Sequence, residues 1–232
     1  MDWSAAAKKR AALEAVKHVK DDFIVGLGSG TTAAFAIREI GRRIEEENLK
    51  VLGVPTSYQS FILATECGIP TTTLKEHPQL DLDIDGADQI DGELNLIKGK
   101  GGGAIIREKV VASAAEKLII IADETKLTQK LGERDSLPVE VLPFAEPLVS
   151  LKVRDIGGKP VLRERTDKPG PFITDNGNFI LDVYFGPIEN PKELDLKLKS
   201  IPGIIETGLF IGMADIAYIG SSNDVKKMER KR

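Results

Sequence analysis

The stretch that decides the fold lies near the start of the chain, where residues 23–46 read FIVGLGSGTTAAFAIREIGRRIEE. Phe23–Leu27 is a short apolar run, and a turn of glycines and hydroxyl residues follows it. Apolar side chains then recur with the spacing of one helix face, at Phe35, Ile37, Ile40 and Ile44. This pattern predicts a buried strand at 23–27 that leads through a turn into a helix over about 31–46.

The rest of the first half repeats the same alternation. We predict helices at Ala6–Val19, Ser57–Glu66 and Ala104–Glu116, and strands at Val51–Val54, Leu80–Ile84 and Leu118–Ala122. The last strand is continuously apolar, as is typical of strands buried on both faces of a parallel sheet. The alternation favours an α/β fold, with an open, mostly parallel Rossmann-like sheet and helices on both faces.

The second half has a different texture. Prolines punctuate short strands at Val161–Arg165 and Asn178–Tyr184, with one helix near Pro191–Ser200. Strands segregated from helices indicate a small α+β unit. We therefore predict an inserted α+β domain at 132–205 in a Rossmann-like catalytic domain at 1–131 and 206–232, with the runs Gly208–Ile211 and Ile216–Ile219 rejoining the first sheet.

Composition excludes several functional classes. The chain has 232 residues, of which 41% are hydrophobic, and a net charge of −4, which gives no reason to expect a nucleic-acid surface. It shows no apolar leader and no run of about 18 apolar residues, so we expect no membrane span. The single cysteine, Cys67, fits a cytoplasmic setting. Two histidines leave little material for a zinc site or a catalytic triad.

The turn after the first strand matches the dinucleotide pattern G-x-G-x-x-A at 28–33. A nicotinamide site also needs an acid at the end of the next strand, but Val51–Val54 is followed by Pro55, Thr56 and Ser57. The missing acid therefore argues against dinucleotide binding. Two interpretations remain open from the residues alone: a phosphate cradle of N–H groups and hydroxyls at a helix N-terminus, or a plain turn with Thr31 as the cap.

The acids at 81–85 begin like a calcium loop. Such a loop needs a glutamate at its twelfth position, which is Gly92 here. Leu82 and Ile84 also alternate with the acids, as in a half-buried strand. We expect no metal.

The chemistry is predicted to lie between Asp85 and Glu108. Asp85 and Asp88 follow a strand, and ligands bind at the carboxyl edge of open α/β sheets. The glycine-rich run from Lys98 to Gly103 then precedes the helix that carries Glu108. Closely spaced glycines let the backbone approach a ligand, and carboxylates with a lysine suit proton transfer.

At this point a resemblance extends over nearly the whole chain. The runs that carry it, in chain order, are GLGSGTTAAF (26–35), DGADQID (85–91), LIKGKGGGAIIREK (96–109), IADETK (121–126), LPVEVLP (137–143), ITDNGNFILD (173–182) and IPGIIETGLF (201–210). The chain resembles the type A ribose-5-phosphate isomerases. That family interconverts ribose 5-phosphate and ribulose 5-phosphate through a cis-enediolate, without metal or organic cofactor.

The resemblance implies a role for each matching residue. Glu108 would be the base that moves a proton between C2 and C1, and Asp85 would assist ring opening. Lys98 and the glycine N–H groups would stabilise the enediolate. Substrate contacts are implied for Ser29, Gly30, Thr31 and Thr32 on the phosphate side, and for Asp85, Gly86, Ala87, Asp88, Lys98, Gly99, Lys100, Gly101 and Lys126. Lys8 is a weaker candidate for the phosphate.

The chain departs from the family pattern at the glycine run. The family usually has one lysine followed by three glycines, whereas this run, Lys98-Gly99-Lys100-Gly101-Gly102-Gly103, is longer and contains a second lysine. Either Lys98 or Lys100 could then be the catalytic lysine, and the spacing from Asp85 favours Lys98. The resemblance implies no cofactor, a phosphosugar substrate, and a homodimer or homotetramer. The rivals are a non-catalytic sugar-phosphate sensor and an isomerase of a related phosphosugar.

Overall fold

The computed structural model describes residues 3–231. Its helices are α1 (Trp3–Val16), α2 (Gly30–Glu47), α3 (Tyr58–Glu66), α4 (Ile105–Ala114), α5 (Glu146–Asp155) and α6 (Pro191–Lys199). Its strands are β1 (Phe23–Leu27), β2 (Val51–Pro55), β3 (Leu82–Gly86), β4 (Gln89–Ile90), β5 (Leu96–Ile97), β6 (Leu118–Asp123), β7 (Leu137–Val141), β8 (Lys159–Leu162), β9 (Phe179–Tyr184), β10 (Ile204–Thr207), β11 (Leu209–Phe210), β12 (Ile216–Gly220) and β13 (Val225–Glu229).

The chain divides into two compact units. The first unit consists of the chain up to Ala87, Arg107–Lys126 and the segment from Gly212 onward. The second unit consists of Asp88–Ile106 and Leu127–Ile211. The second unit includes a segment, 88–106, that the predicted insertion at 132–205 does not contain. That 132–205 folds as a domain by itself stays a prediction.

The first unit is built on a six-stranded sheet in the order β13-β12-β6-β3-β1-β2. All neighbours pair in parallel except β12 and β13, which are antiparallel. Every residue of β6 is buried, as its unbroken apolar sequence predicts. Helices α1 and α2 cover the sheet with small and branched side chains, among them Ala11, Ile37 and Ile40.

The second unit contains two small antiparallel sheets. One has four strands in the order β10-β7-β9-β8, and the other has three in the order β11-β5-β4. Residues of β7 and β9 pack with Val149 and Val153 of α5 in a separate apolar core. The predicted fold class, a mostly parallel α/β sheet with a smaller α+β part, is confirmed.

Two local predictions need correction. Gly208–Ile211 does not rejoin the first sheet, because Leu209 and Phe210 pair with Ile97 and Leu96 of β5. Helix α5 was not predicted, because the prolines of the second half were interpreted as punctuation between short strands. Pro147 stands in the first turn of α5, where a missing backbone N–H costs nothing.

Candidate active site

The first unit brings Asp85 into contact with the turn after β1. Strands β1 and β3 are parallel neighbours, with Leu27 opposite Ile84, so their carboxyl ends meet at one edge. Asp85 is 1% exposed, and its Oδ1 accepts hydrogen bonds from the N–H of Ser29 at 3.0 Å and of Gly86 at 2.7 Å. Two backbone donors therefore hold this oxygen of the Asp85 carboxylate in place.

Gly28 makes that approach possible. A Cβ atom at residue 28 would lie 2.3 Å from Oδ1 of Asp85 and 2.6 Å from its Cα. No side chain fits there without moving the backbone of β3. The glycine that suggested a dinucleotide turn is therefore required by the close approach of Asp85.

The start of the 29–32 turn bonds to the segment after β2 through the Ser29 hydroxyl and the Gly30 N–H. Ser29 is the N-cap of α2, but its side chain makes no capping bond. Its Oγ instead lies 2.7 Å from Oγ1 of Thr56 and 2.6 Å from Oγ of Ser57. The N–H of Gly30 donates to Oε1 of Gln59 at 2.8 Å. The interpretation with Thr31 as the cap is wrong, since Thr31 and Thr32 lie within α2.

Asp123 ends β6 at the same sheet edge, and sequence reasoning missed it. Its Oδ2 accepts from Oγ of Ser4 at 3.1 Å and lies 3.8 Å from Nζ of Lys8, while Oδ1 accepts from the N–H of Thr125 at 3.0 Å. Burial opposes its ionisation, but the bonds from Thr125 and Ser4 and the charge of Lys8 prevail, so the pKa of Asp123 is lowered. An acid that ends the most apolar strand was the available signal.

Lys126 follows directly, at the end of a 3-10 turn at Glu124–Lys126. Lys8 lies on α1, and its ion pair with Asp123 brings it to the end of β6. Strand β6 is the neighbour of β3, with Gly86 opposite Ile121. Lys126 therefore follows β6, and Lys8 approaches the end of β6. This strand is the neighbour of β3, which carries Asp85.

Glu108 lies in the first turn of α4 and is 6% exposed. A carboxylate is favoured there, because the N-terminus of a helix carries partial positive charge. The preceding residue, Arg107, places its guanidinium 4.9 Å from the ring centroid of Tyr58. Glu108 belongs to the first unit, as do Asp85 and the 29–32 turn.

The second unit holds the remaining predicted residues. Lys98 is 4% exposed, and its Nζ lies 5.4 Å from the centroid of the Phe210 ring. Lys100 has an exposed side chain whose Nζ pairs with Asp135. Its backbone N–H donates to Oδ2 of Asp88 at 2.8 Å. The two lysines thus occupy different environments, one buried beside an aromatic ring and one exposed in an ion pair.

Gly99 has a backbone that favours glycine. Its φ of +99° lies in the region that side chains rarely adopt, and a Cβ there would lie 2.4 Å from Cγ1 of Ile105. At Gly101 and Gly102 a Cβ would meet no atom within 4 Å. Packing therefore constrains the run at Gly99, near its start, but not at Gly101 and Gly102 in its middle.

The structure therefore gathers the predicted residues in two groups. Ser29, Gly30, Asp85 and Gly86 are linked in the first unit, and a Cβ at Gly86 would lie 3.8 Å from Cβ of Thr32. Asp88 and the Lys98–Gly101 run are linked in the second unit. Ala87 is the last residue before the second unit begins. Among residues 3–231, no group of three or more His, Cys, Asp or Glu could hold a metal ion, and no helix in that range is long and apolar enough to cross a membrane.

Comparison with known families assigns this arrangement. The model of the family "Ribose 5-phosphate isomerase A (phosphoriboisomerase A)" matches residues 52–224. The chain belongs to the ribose 5-phosphate isomerase A family. Ribose-5-phosphate isomerase A of Methanosarcina acetivorans is 52% identical over 221 residues, which cover 95% of this chain and 93% of that protein. The protein of the same name from Methanothermobacter thermautotrophicus is 49% identical over 94% of this chain and 96% of its own.

Solved structures of ribose 5-phosphate isomerases agree. The enzyme from Methanocaldococcus jannaschii superimposes with a TM-score of 0.93 at 43% identity, covering 97% of this chain and 98% of that one. A D-ribose-5-phosphate isomerase in complex with phospho-erythronic acid gives 0.95 at 41% identity, covering 98% and 99%. The predicted family and the predicted ribose-5-phosphate isomerase activity are confirmed.

Proposed function

We propose that this chain carries out the ribose 5-phosphate isomerase reaction with Glu108 as its base and Asp85 as the group that assists ring opening. The observation that carries the proposal is the bond between Asp85 and the N–H of Ser29, because it joins an acid to a turn suited to a phosphate. N–H groups at the start of α2 favour an anion. Ser29, Gly30, Thr31 and Thr32 receive the phosphate in this proposal.

The proton transfer needs one base that acts on two carbons. The Glu108 carboxylate removes the proton from C2 of the open-chain aldose, and the pair of electrons left behind forms the enediolate, with negative charge on O1. The resulting carboxylic acid then protonates C1, and a proton moves between O1 and O2 to give the ketose. Glu108 returns to its starting state, so the step needs no oxidant or reductant.

Enediolate stabilisation is assigned to Lys98 and the glycine N–H groups. Lys98 is preferred over Lys100 because it is buried, where a charge acts through a lower dielectric than at the surface. The ammonium of Lys100 is occupied by Asp135. Asp88 and Lys126 contact sugar hydroxyls and phosphate in this proposal, together with Gly86, Ala87, Gly99 and Gly101.

The experiment compares conversion of ribose 5-phosphate to ribulose 5-phosphate by wild type, Glu108→Gln and Glu116→Gln. Glu116 is exposed just beyond α4 and serves as the matched control. We expect Glu108→Gln to lose turnover by at least about 100-fold, because general-base catalysis contributes about 10²–10⁴. Full turnover in Glu108→Gln contradicts the base assignment.

Binding separates the isomerase from a sensor. Phospho-erythronic acid carries a phosphate and a carboxylate in place of the reacting carbons, so it is a suitable probe. We expect Glu108→Gln to bind it while failing to turn over substrate. A wild-type chain that binds the probe but converts no ribose 5-phosphate would be the sensor. Activity on other aldose phosphates tests the rival substrate class.

Assembly and location belong to the same proposal. We expect a homodimer or homotetramer in the cytoplasm, as the family resemblance implies. Light scattering after size exclusion measures the number of subunits, and a monomeric mass contradicts the expectation.

A further inference from the structure

The glycine loop, residues 98–103, is held at its first end by Arg163. Nη1 of Arg163 donates to the carbonyl oxygen of Gly99 at 2.8 Å. Nε and Nη2 of the same side chain donate to the two carboxylate oxygens of Asp182, at 2.8 and 2.6 Å. The guanidinium therefore forms a bidentate pair with Asp182 and still donates one N–H to the loop, a combination that a lysine cannot make.

Arg163 is itself fixed by its surroundings. It follows β8, and its N–H donates to the carbonyl of Ile180 in β9 at 2.8 Å. Its side chain is 13% exposed and lies 5.9 Å from the ring centroid of Phe172. Ser136 donates to Asp182 at 3.2 Å. A partly buried pair with several partners keeps its geometry better than a surface pair.

The segment that leaves the glycine loop is held by Glu140 of β7. This carboxylate is 0% exposed. Oε1 accepts from Oγ1 of Thr174 and from Nδ2 of Asn178, both at 2.9 Å, and Oε2 lies 3.3 Å from the N–H of Ile106. Ile106 is in the first turn of α4, and the residue before the helix, Ala104, has no side-chain acceptor. Glu140 thus caps α4 from a distant strand.

A fully buried carboxylate is costly unless donors compensate it. Glu140 has three donors and faces a helix N-terminus, where negative charge is favoured. The N–H of Asp175 also donates to the carbonyl of Gly103 at 3.0 Å. The turn at 174–178 therefore binds Gly103 directly and is linked to the start of α4 through Glu140.

We propose that Arg163 and Glu140 are positioning residues. Arg163 fixes the start of the glycine loop and Glu140 fixes the start of α4 that follows it, so that the loop N–H groups and Lys98 are already in position before the substrate binds. This inference rests on the proposed function, in which the loop stabilises the enediolate. All the residues involved belong to the second unit. Preorganised donors contribute to transition-state stabilisation because they need no reorganisation during the reaction. Loosening the loop should therefore lower kcat and leave KM nearly unchanged.

The first test replaces Arg163 by lysine, which keeps the positive charge and removes the bidentate pairing with Asp182. Arg165→Lys is the matched control, since Arg165 forms an exposed bidentate pair with Asp167 at 2.9 and 2.6 Å. We expect Arg163→Lys to lower kcat about 10- to 100-fold, with KM for ribose 5-phosphate within about threefold. Arg165→Lys should change neither. An unchanged kcat, or a change confined to KM, overturns the proposal for Arg163.

The second test exchanges the partners at Glu140. Glu140→Gln places an amide N–H₂ among three donors and should lower kcat by a similar factor. In the double variant Glu140→Gln/Asn178→Asp, the new amide donates to the new carboxylate and its oxygen accepts from Ile106. We expect this exchange to recover most of the lost kcat. A double variant no better than the single one overturns the proposal for Glu140.

Two further measurements keep the outcomes distinct. Lys98→Met tests the loop's role directly. If it retains full kcat, the assignment of enediolate stabilisation to Lys98 fails, whereas an inactive Lys98→Met with a fully active Arg163→Lys refutes only the positioning role. If Arg163→Lys does not fold, as judged by circular dichroism, Asp182→Asn is the second variant. It weakens the same bidentate pair and must show the same loss of kcat at constant KM.

Discussion

The carboxylate of Asp85 accepts a hydrogen bond from the backbone N–H of Ser29, with 3.0 Å between Oδ1 and N. The acid proposed to open the sugar ring and the turn proposed to bind its phosphate are therefore parts of one hydrogen-bonded structure. A disturbance at either residue is transmitted to the other. The contact depends on the absence of a side chain at Gly28.

Gly28→Ala should damage both stability and catalysis. The added Cβ would lie 2.3 Å from Oδ1 of Asp85, so β3 or the turn must move. We expect a loss of about 1–3 kcal/mol in the free energy of unfolding, with a rise in KM and a fall in kcat. Urea unfolding and steady-state kinetics measure these. Gly92→Ala is the control, because a Cβ there meets no atom within 4 Å. Equal behaviour of the two variants would refute the close-approach argument.

Gln59→Ala should strengthen phosphate binding. The side-chain oxygen of Gln59 accepts from the N–H of Gly30 at 2.8 Å, and an incoming phosphate oxygen competes for that donor. We expect the inhibition constant of inorganic phosphate to fall about two- to tenfold, which corresponds to one hydrogen bond. Gln59→Glu keeps an acceptor and adds a negative charge, so it should weaken phosphate inhibition. Weaker inhibition in Gln59→Ala would instead mean that Gln59 itself contacts phosphate.

Lys98 and Lys100 should differ sharply when each is replaced by methionine. Lys98 is buried beside Phe210, whereas the exposed Lys100 pairs with Asp135. We expect Lys98→Met to lower kcat about 10²- to 10³-fold, the cost of removing one group that stabilises an oxyanion. Exposed ion pairs contribute little to stability, so Lys100→Met should keep its Tm and most of its activity. The reverse result would assign catalysis to Lys100.

Asp123 should stabilise the fold in a pH-dependent way. Its pKa is lowered in the folded state below the ordinary value of 3.8, so its contribution is fully present above that pH and is lost as the pH falls through the lowered value. Asp123→Asn should therefore be less stable than wild type at pH 7, and the difference should narrow near pH 3. Urea unfolding at both pH values measures this. Glu124→Gln, at an exposed neighbour, is the control and should show no such narrowing.

The sequence predicted the parts of the fold that depend on local pattern. Strand β6 is one apolar run and α2 has one apolar face, so the local pattern of apolar residues located both elements. The two-residue strands β4 and β5 are too short to have a period; they pair with each other, and β5 also pairs with the distant β11. Pairing between distant segments leaves no local signal.

The same distinction applies to the candidate site. Asp85, Lys98 and Glu108 stand near one another in the sequence and were found there. Glu140 and Arg163 were not, because they bond to Ile106 and to Gly99 from positions far along the chain. A carboxylate in an apolar strand such as LPVEV is unusual, and that was the one sign available for Glu140.

The pairing of β12 with β6 has a consequence for synthesis of the chain. Ile216–Gly220 is parallel to Ile119–Asp123, and the two segments are separated in the sequence by α5, α6 and the strands β7 to β11. A nascent chain that has emerged only as far as residue 211 presents one side of β6 with unpaired N–H and C=O groups on strongly apolar residues. Such an edge is a template for aggregation. We expect ribosome-bound intermediates of this length to bind chaperones and to release them once Gly220 has emerged.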